Sequence, residues 1–272
     1  MKKITSHENK IYKMCLQLES RKYREKLGRY IIEGPNLIEE ALKNNIVPDF
    51  LILDETAGRR AEITGLCERY AAELGKAGEE NILIFEEQLF ASCAKTENSQ
   101  GVMGIVQKNS VTEDSFFEAE RQGNGNILVL DRLQDPGNAG TMIRTADAAG
   151  YAGIIILKGT VDIFSPKVVR ACTGSLFRMP LLFSDSPEQT IQLLKKHGKR
   201  VVSTGFETDK YYYETDLKNH IGLVIGNEGN GICEVFKEHS DEVVKIPMSG
   251  SIESLNASVA AAILMYEAMR HG

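Results

Sequence analysis

A chain of 272 residues with 42% apolar and 26% charged side chains has the composition of a soluble globular protein, which excludes a fibrous or intrinsically disordered one. Its length suits two domains, each able to bury its own core. The formal net charge of -6 argues against a general polyanion binder but leaves room for local basic patches.

The first ten residues carry the charge of a signal peptide with no apolar segment behind it, and the apolar run Ala257 to Tyr266 is too short to span a bilayer. A cytoplasmic protein without a membrane partner is expected. Five cysteines (Cys15, Cys67, Cys93, Cys172, Cys233) form no Cys-x-x-Cys pair and lie near no histidines at ligand spacing, so reduced thiols and no metal are expected.

From Lys2 to Arg29 nine basic residues face three acidic ones, and Arg21-Lys-Tyr-Arg-Glu-Lys-Leu-Gly-Arg-Tyr30 interleaves tyrosines with cations. Such a surface can hold phosphates and stack on bases, which makes Arg21, Lys22, Arg24 and Arg29 candidate RNA contacts; a solvated basic helix end is the alternative. Helical spacing covers about Asn9 to Ser20, Asn36 to Asn44 behind Pro35, and Arg59 to Leu74. Apolar runs at Tyr30–Glu33, Phe50–Leu53, Ile82–Phe85 and Val102–Val106 read as strands. These elements predict a compact α/β module over residues 1–107, with Glu33-Gly34 and the turn Thr96–Gly101 as further binding candidates. Periodicity fades over 108–126, which reads as a linker.

The second module, residues 127–272, alternates apolar runs with helical segments. Strands are expected at Ile127–Asp131, Gly153–Leu157, Arg200–Thr204, Leu223–Gly226 and Val243–Ile246, and helices at Ala139–Ala149, Ser165–Gly174 and Pro187–Gly198. This alternation predicts a mostly parallel sheet with helices on both faces. The stretch Ile221-Gly-Leu-Val-Ile-Gly-Asn-Glu-Gly-Asn-Gly-Ile232 breaks a buried strand at Gly226 into a glycine-bearing turn around Glu228. Ser249, Ser251, Ser254 and Asn256 crowd the start of the last helix and suggest a polar pocket, although each is also an ordinary cap. A nicotinamide-binding domain would carry its glycines after the first strand, where Asp131-Arg-Leu-Gln-Asp-Pro-Gly-Asn138 stands instead.

Three segments carry a resemblance: Asp135-Pro-Gly-Asn-Ala-Gly-Thr-Met-Ile-Arg144, Ile225-Gly-Asn-Glu-Gly-Asn-Gly231, and Ile246-Pro-Met-Ser-Gly-Ser-Ile-Glu-Ser-Leu-Asn-Ala-Ser-Val259. In this order they resemble the motifs of the SPOUT RNA methyltransferases, specifically the TrmH-like ribose 2'-O-methyltransferases. Thr160 to Ala171 adds a fourth similarity, and Tyr30–Gly34 with Gln100-Gly101-Val102 resembles the SpoU-type, ribosomal-protein-like substrate-binding domain. The resemblance implies an α/β fold with a deep trefoil knot, a homodimer, and S-adenosylmethionine held largely by backbone around Thr204, Gly205, Gly226, Asn227, Ile246, Met248 and Leu255. It implies that Arg144 is the proton acceptor or the substrate orienter, with Arg144 and Asn138 meeting the partner's cofactor; because arginine stays protonated at accessible pH, orienting a phosphate and stabilising the developing alkoxide is the favoured role. Glu228 would position Arg144 or the ribose, and Ser254 and Asn256 would bind the nucleotide or fix their loop. Lys167 and Arg170 would extend the RNA surface. Ribosomal RNA is the expected substrate and DNA is not expected; transfer RNA, or a vestigial fold in an RNA-binding or ribosome-assembly protein, are the alternatives.

Overall fold

The computed structural model describes residues 1–57, 60–75, 78–95, 99–109, 111–118, 125–249 and 254–270. Two compact units emerge. The first comprises Met1–Asn109 together with Phe164–Phe177, the second Ser110–Ile163 with Arg178–Gly272.

The first unit is built on strands β1 (Lys2–Ile4), β2 (Arg29–Glu33), β3 (Phe50–Asp54), β4 (Ile82–Phe85) and β5 (Val102–Gln107), in the order β1-β4-β3-β5-β2. Both β1 and β3 run parallel to β4, whereas β5 is antiparallel to β3 and β2. Helices α1 (Lys10–Gln17), α2 (Arg21–Leu27), α3 (Pro35–Lys43), α4 (Ala61–Leu74) and α5 (Glu87–Cys93) belong to this unit. One part of its core packs Ile52, Phe85, Met103 and Ile105 with Cys15, Leu18 and Phe90. Asn9 caps α1 by accepting the N–H groups of Ile11 and Tyr12, a contribution of about 1 kcal/mol. Three elements escape the periodicity reading: β1 is three residues long, α5 is seven, and α2 is almost wholly polar. The end of α2 is set by Gly28, whose φ of 61° is the left-handed conformation that stops a helix. Segment Phe164–Phe177 carries α8 (Pro166–Ala171), and the Phe164 ring lies 4.9 Å from that of Tyr30.

The second unit holds six parallel strands, β6 (Ile127–Leu130), β7 (Gly153–Leu157), β8 (Leu181–Ser184), β9 (Arg200–Thr204), β10 (Ile221–Ile225) and β11 (Glu242–Val244), in the order β11-β9-β10-β6-β7-β8. Every residue of β6, β7 and β10 is buried, as expected of central strands covered on both faces. Around the sheet are α6 (Glu113–Glu118), α7 (Pro136–Ala148), α9 (Pro187–Lys196), α10 (Glu234–His239) and α11 (Ala257–Glu267), with α7 packed on α11. From β6 the chain builds β7 and β8 on one side, then crosses to lay down β9, β10 and β11 on the other, with β10 inserted between β9 and β6. Such a reversal opens a crevice at the carboxyl ends of the strands.

The stretch read as a linker is more structured than its polarity implied. Within it, α6 buries Phe116 and Phe117, and Phe116 occupies the space that a side chain at Gly153 would need. Asn126 is also fully buried, donating to the carbonyls of Leu217 and Lys218 and accepting the Ile221 N–H. Two adjacent aromatics in a polar run anchor a segment that periodicity alone cannot detect.

Candidate active site

At the carboxyl ends of the strands lies a cleft of about 790 Å³ bounded by the loops after β9, β10 and β11 and by the start of α11. Thr204, Gly205, Gly226, Asn227, Ile246, Met248 and Leu255, far apart in sequence, all line it, as do Glu228 and Ser254. Its size is that of a small-molecule site. The loop 226–232, the small side chains of Ala257 and Ala260, and apolar Ile246 and Leu264 make walls suited to an amphiphile with a planar ring.

The glycine-bearing loop is fixed at both ends. A Cβ on Gly226 would lie 2.2 Å from the carbonyl carbon of Gly231, so no side chain fits there. Asn227 and Gly231 exchange backbone hydrogen bonds of 3.0 and 2.9 Å. The Asn227 side chain accepts the N–H groups of Gly229 and Asn230 and donates to the Arg132 carbonyl. Its role is therefore to shape the wall through its backbone loop. At the far end of the loop the Cys233 N–H donates at 2.6 Å to Asp131, which is fully buried. The same carboxylate receives two hydrogen bonds from Arg132, and these hold the guanidinium pKa above its ordinary value, against the opposing effect of burial. Arg132 adopts a φ of 58°, a conformation costing roughly 1–2 kcal/mol outside glycine. No sequence signal marked either residue: Asp131 read only as the end of a strand and Arg132 as the first residue after it.

Glu228 stands at the centre of a second network. Its carboxylate accepts the N–H groups of Gln134 (3.0 Å) and Asp135 (3.1 Å) and the side-chain amide of Asn138 (3.1 Å). Burial pushes its pKa up, but the hydrogen bonds from Gln134, Asn138 and Asp135 outweigh it, and the group sits below the usual carboxylate range. Asn138, only 8% exposed, accepts in turn from the Asn256 amide at 2.9 Å. Asn256 then caps α11, accepting from the N–H groups of Ser258 and Val259 and from the Ser258 hydroxyl. Among the described residues these contacts join the three motifs through the chain Glu228–Asn138–Asn256. Asp135 caps α7, whereas Asn138 lies inside the helix and turns its side chain to this network. Ser254 lines the cleft without joining it. Gly250, Ser251, Ile252 and Glu253 of the third motif lie outside the described residues.

Arg144 is exposed and, among the described residues, has no hydrogen-bond or ion-pair partner. It follows Asn138 on α7 by about 9 Å along the axis and roughly 240° around it, so Glu228, engaged by Asn138, does not position it within one subunit. The proposed RNA cations divide. Arg24 is withdrawn from the surface: it is 4% exposed and donates to the carbonyls of Leu18 and Glu19, because the turn between α1 and α2 leaves those acceptors inside. Arg29 pairs with Asp49 at 2.5 Å, and Arg21 with Glu25 at 2.8 Å. Lys22, Lys167 and Arg170 are exposed. Of the candidate turn at 96–101, residues 96–98 lie outside the described residues. Among the described residues no group of acidic, histidine and cysteine side chains could hold a metal ion, and no helix is long and apolar enough to cross a membrane.

Residues 125–266 match the SpoU rRNA Methylase family, and residues 9–104 the MRM3-like substrate binding domain. The chain belongs to the SpoU methylase family. It is an S-adenosylmethionine-dependent RNA 2'-O-methyltransferase with an N-terminal substrate-binding domain. The methyltransferase is 34% identical over 267 residues to the 23S rRNA (guanosine(2553)-2'-O)-methyltransferase RlmP of Bacillus subtilis, covering 98% of both chains. The AdoMet-bound rRNA methyltransferase of Sinorhizobium meliloti superposes with a TM-score of 0.85 at 30% identity, over 99% of this chain and 97% of that one. The SpoU methyltransferase AviRb of Streptomyces viridochromogenes, in complex with AdoMet, gives 0.79 at 26% identity over 96% and 97%. These neighbours carry the SPOUT fold expected from the motifs.

Proposed function

We propose that this methyltransferase modifies a ribose of ribosomal RNA in the cytoplasm as a homodimer, with its two active sites built from both subunits. The principal support is the hydrogen-bonded chain Glu228–Asn138–Asn256 at one side of the cleft, together with an Arg144 that has no partner among the described residues of its own subunit. S-adenosylmethionine, when bound, supplies a methyl group already activated by the sulfonium charge. The remaining task is alignment of the ribose hydroxyl and removal of its proton.

The residues divide this task. The loops at Thr204–Gly205, Gly226–Ile232 and Ile246–Met248 hold the cofactor through backbone and apolar contacts. Glu228, kept ionised, fixes the Gln134–Asn138 turn and with it the start of α7. Arg144 of the second subunit enters beside the nucleotide. A guanidinium remains protonated at accessible pH, so it orients the neighbouring phosphate and stabilises alkoxide charge. Val259 and Tyr266 on α11, with Met269 in the turn after it, leave apolar surface at 48%, 50% and 45% exposure, which a second copy would cover. The trefoil knot implied by the motifs is part of this proposal, as are RNA contacts from Lys22, Lys167 and Arg170. Residues 1–107 would act as the substrate-binding domain, joined through 108–126 to a catalytic domain over 127–272.

The first test is methyl incorporation into unmodified 23S rRNA. Arg144→Ala is expected to lower kcat by about 10²-fold or more while cofactor affinity, measured by calorimetry, stays within about twofold. A mixed dimer of Arg144→Ala and Glu228→Ala subunits, isolated through two different tags, should regain roughly half the wild-type rate, because one of its two sites then has both residues. No recovery in an isolated mixed dimer would reject the shared site. Deleting the gene and mapping 2'-O-methyl nucleotides should remove one from 23S rRNA; loss from tRNA alone would replace the substrate.

A further inference from the structure

A group of aromatic rings lies beside the cofactor cleft, outside the network just described. Tyr211, Tyr212 and Tyr213 follow β9, and the Tyr211 and Tyr213 rings stack at 5.4 Å between centroids with planes 16° apart. Tyr212 meets Tyr213 edge-on at 5.3 Å. The Lys245 ammonium is 5.4 Å from the Tyr211 ring. Tyr213 is 47% exposed.

This arrangement is held rigidly. The Tyr211 N–H donates to Glu214 at 2.7 Å, and the Glu214 N–H returns to the Tyr211 carbonyl at 3.0 Å, closing a single 3-10 turn over Tyr212–Glu214. The turn is tied to the segment after β11: the Tyr212 N–H donates to the Lys245 carbonyl and the Lys245 N–H to the Lys210 carbonyl, both at 3.0 Å. Thr215 hydrogen-bonds Glu242 at 2.8 Å. Lys245 itself lines the cleft together with the next residue, Ile246. A half-exposed tyrosine on a fixed turn binds a flat ligand with little entropy loss, because few rotamers remain to be frozen. The cations nearby are already engaged, Lys245 with Asp209 at 3.6 Å and Lys210 with Glu242. Phosphate attraction at this place is consequently weak, and ring stacking is the interaction it offers.

Resting on the reading of this chain as an RNA methyltransferase, we propose that the exposed ring of Tyr213, backed by Tyr211 and Lys245, is a stacking platform for an unpaired base of the substrate RNA near the methylated nucleotide. Every base has a π face, so the platform holds the strand without reading its sequence. An unpaired, splayed base is the form in which single-stranded RNA is bound on tyrosine.

The test uses the full-length protein and two readouts. Tyr213→Ala should raise the KM for unmodified 23S rRNA at least about fivefold, with kcat and S-adenosylmethionine affinity within about twofold of wild type. Tyr213→Phe and Tyr213→Trp should keep the wild-type KM. Separately, a short single-stranded oligonucleotide containing 2-aminopurine should lose fluorescence on binding wild type but not Tyr213→Ala. An unchanged KM in Tyr213→Ala, or equal loss in Tyr213→Phe, overturns stacking, the latter by pointing to the hydroxyl. Absence of quenching by wild type overturns it as well. Quenching by an enzyme that methylates no rRNA would leave the platform in place and reject the proposed substrate.

Discussion

The two units use charge in opposite ways. In the first, some of the cations that looked available for RNA are engaged by the fold: Arg24 binds carbonyls in the interior and Arg29 neutralises Asp49. In the second, a carboxylate is satisfied by backbone N–H groups and an amide, while Arg144 has no partner among the described residues. An arginine's function depends on whether local acceptors already claim it, and sequence composition carries no record of that.

The largest effect that would sharpen this contrast is expected at the loop proposed to hold the cofactor. Gly226→Ala places a methyl group 2.2 Å from main chain that is pinned at both ends, so the loop must shift. Cofactor affinity should fall at least about tenfold, with roughly 1–3 kcal/mol of stability lost as in an overpacked core. Calorimetry and thermal melting measure the two. Wild-type affinity in this variant would mean that the wall tolerates displacement.

A smaller effect concerns Glu228 and acid. Its pKa is lowered in the folded protein, so its contribution is fully present above the unfolded carboxylate value and is lost as pH falls through the lowered folded value. Wild type should therefore melt above Glu228→Gln at neutral pH, and the gap should close as pH drops below the usual carboxylate range. A constant gap would show that the carboxylate's charge is not what its donors require.

The smallest effect separates the basic residues of the first unit. Arg24→Ala should lower the melting temperature by removing about 1–3 kcal/mol of buried hydrogen bonding. Lys22→Ala should leave melting unchanged and slightly flatten the salt dependence of RNA binding. Reversed outcomes would return Arg24 to the RNA surface.

Much of the fold was legible because its signals are local. β6, β7 and β10 are unbroken apolar runs, and Asp135, Pro136 and Gly150 punctuate α7 within a few residues of its ends. β8 escaped because it has only four residues, of which Phe183 is 58% exposed. α2 escaped because polar residues fill most of its length. The candidate site was legible as motifs, whose glycines, Glu228 and Arg144 stand in recognisable order. Its wiring was not, since Glu228 meets Asn138 across 90 residues and Asn138 meets Asn256 across 118.

By itself the sequence determined the alternation of strands and helices, the turns that only glycine can make, and which segments meet around the candidate site. These follow from steric and hydrophobic preferences acting over a few residues. Tertiary structure alone decided that seven dispersed residues share one cleft, that Asp131 and Asn227 clamp its glycine loop, and that Arg24 is interior while Arg144 is exposed. Each of these depends on which distant groups the folded chain brings within hydrogen-bond reach, a distance that no local pattern encodes.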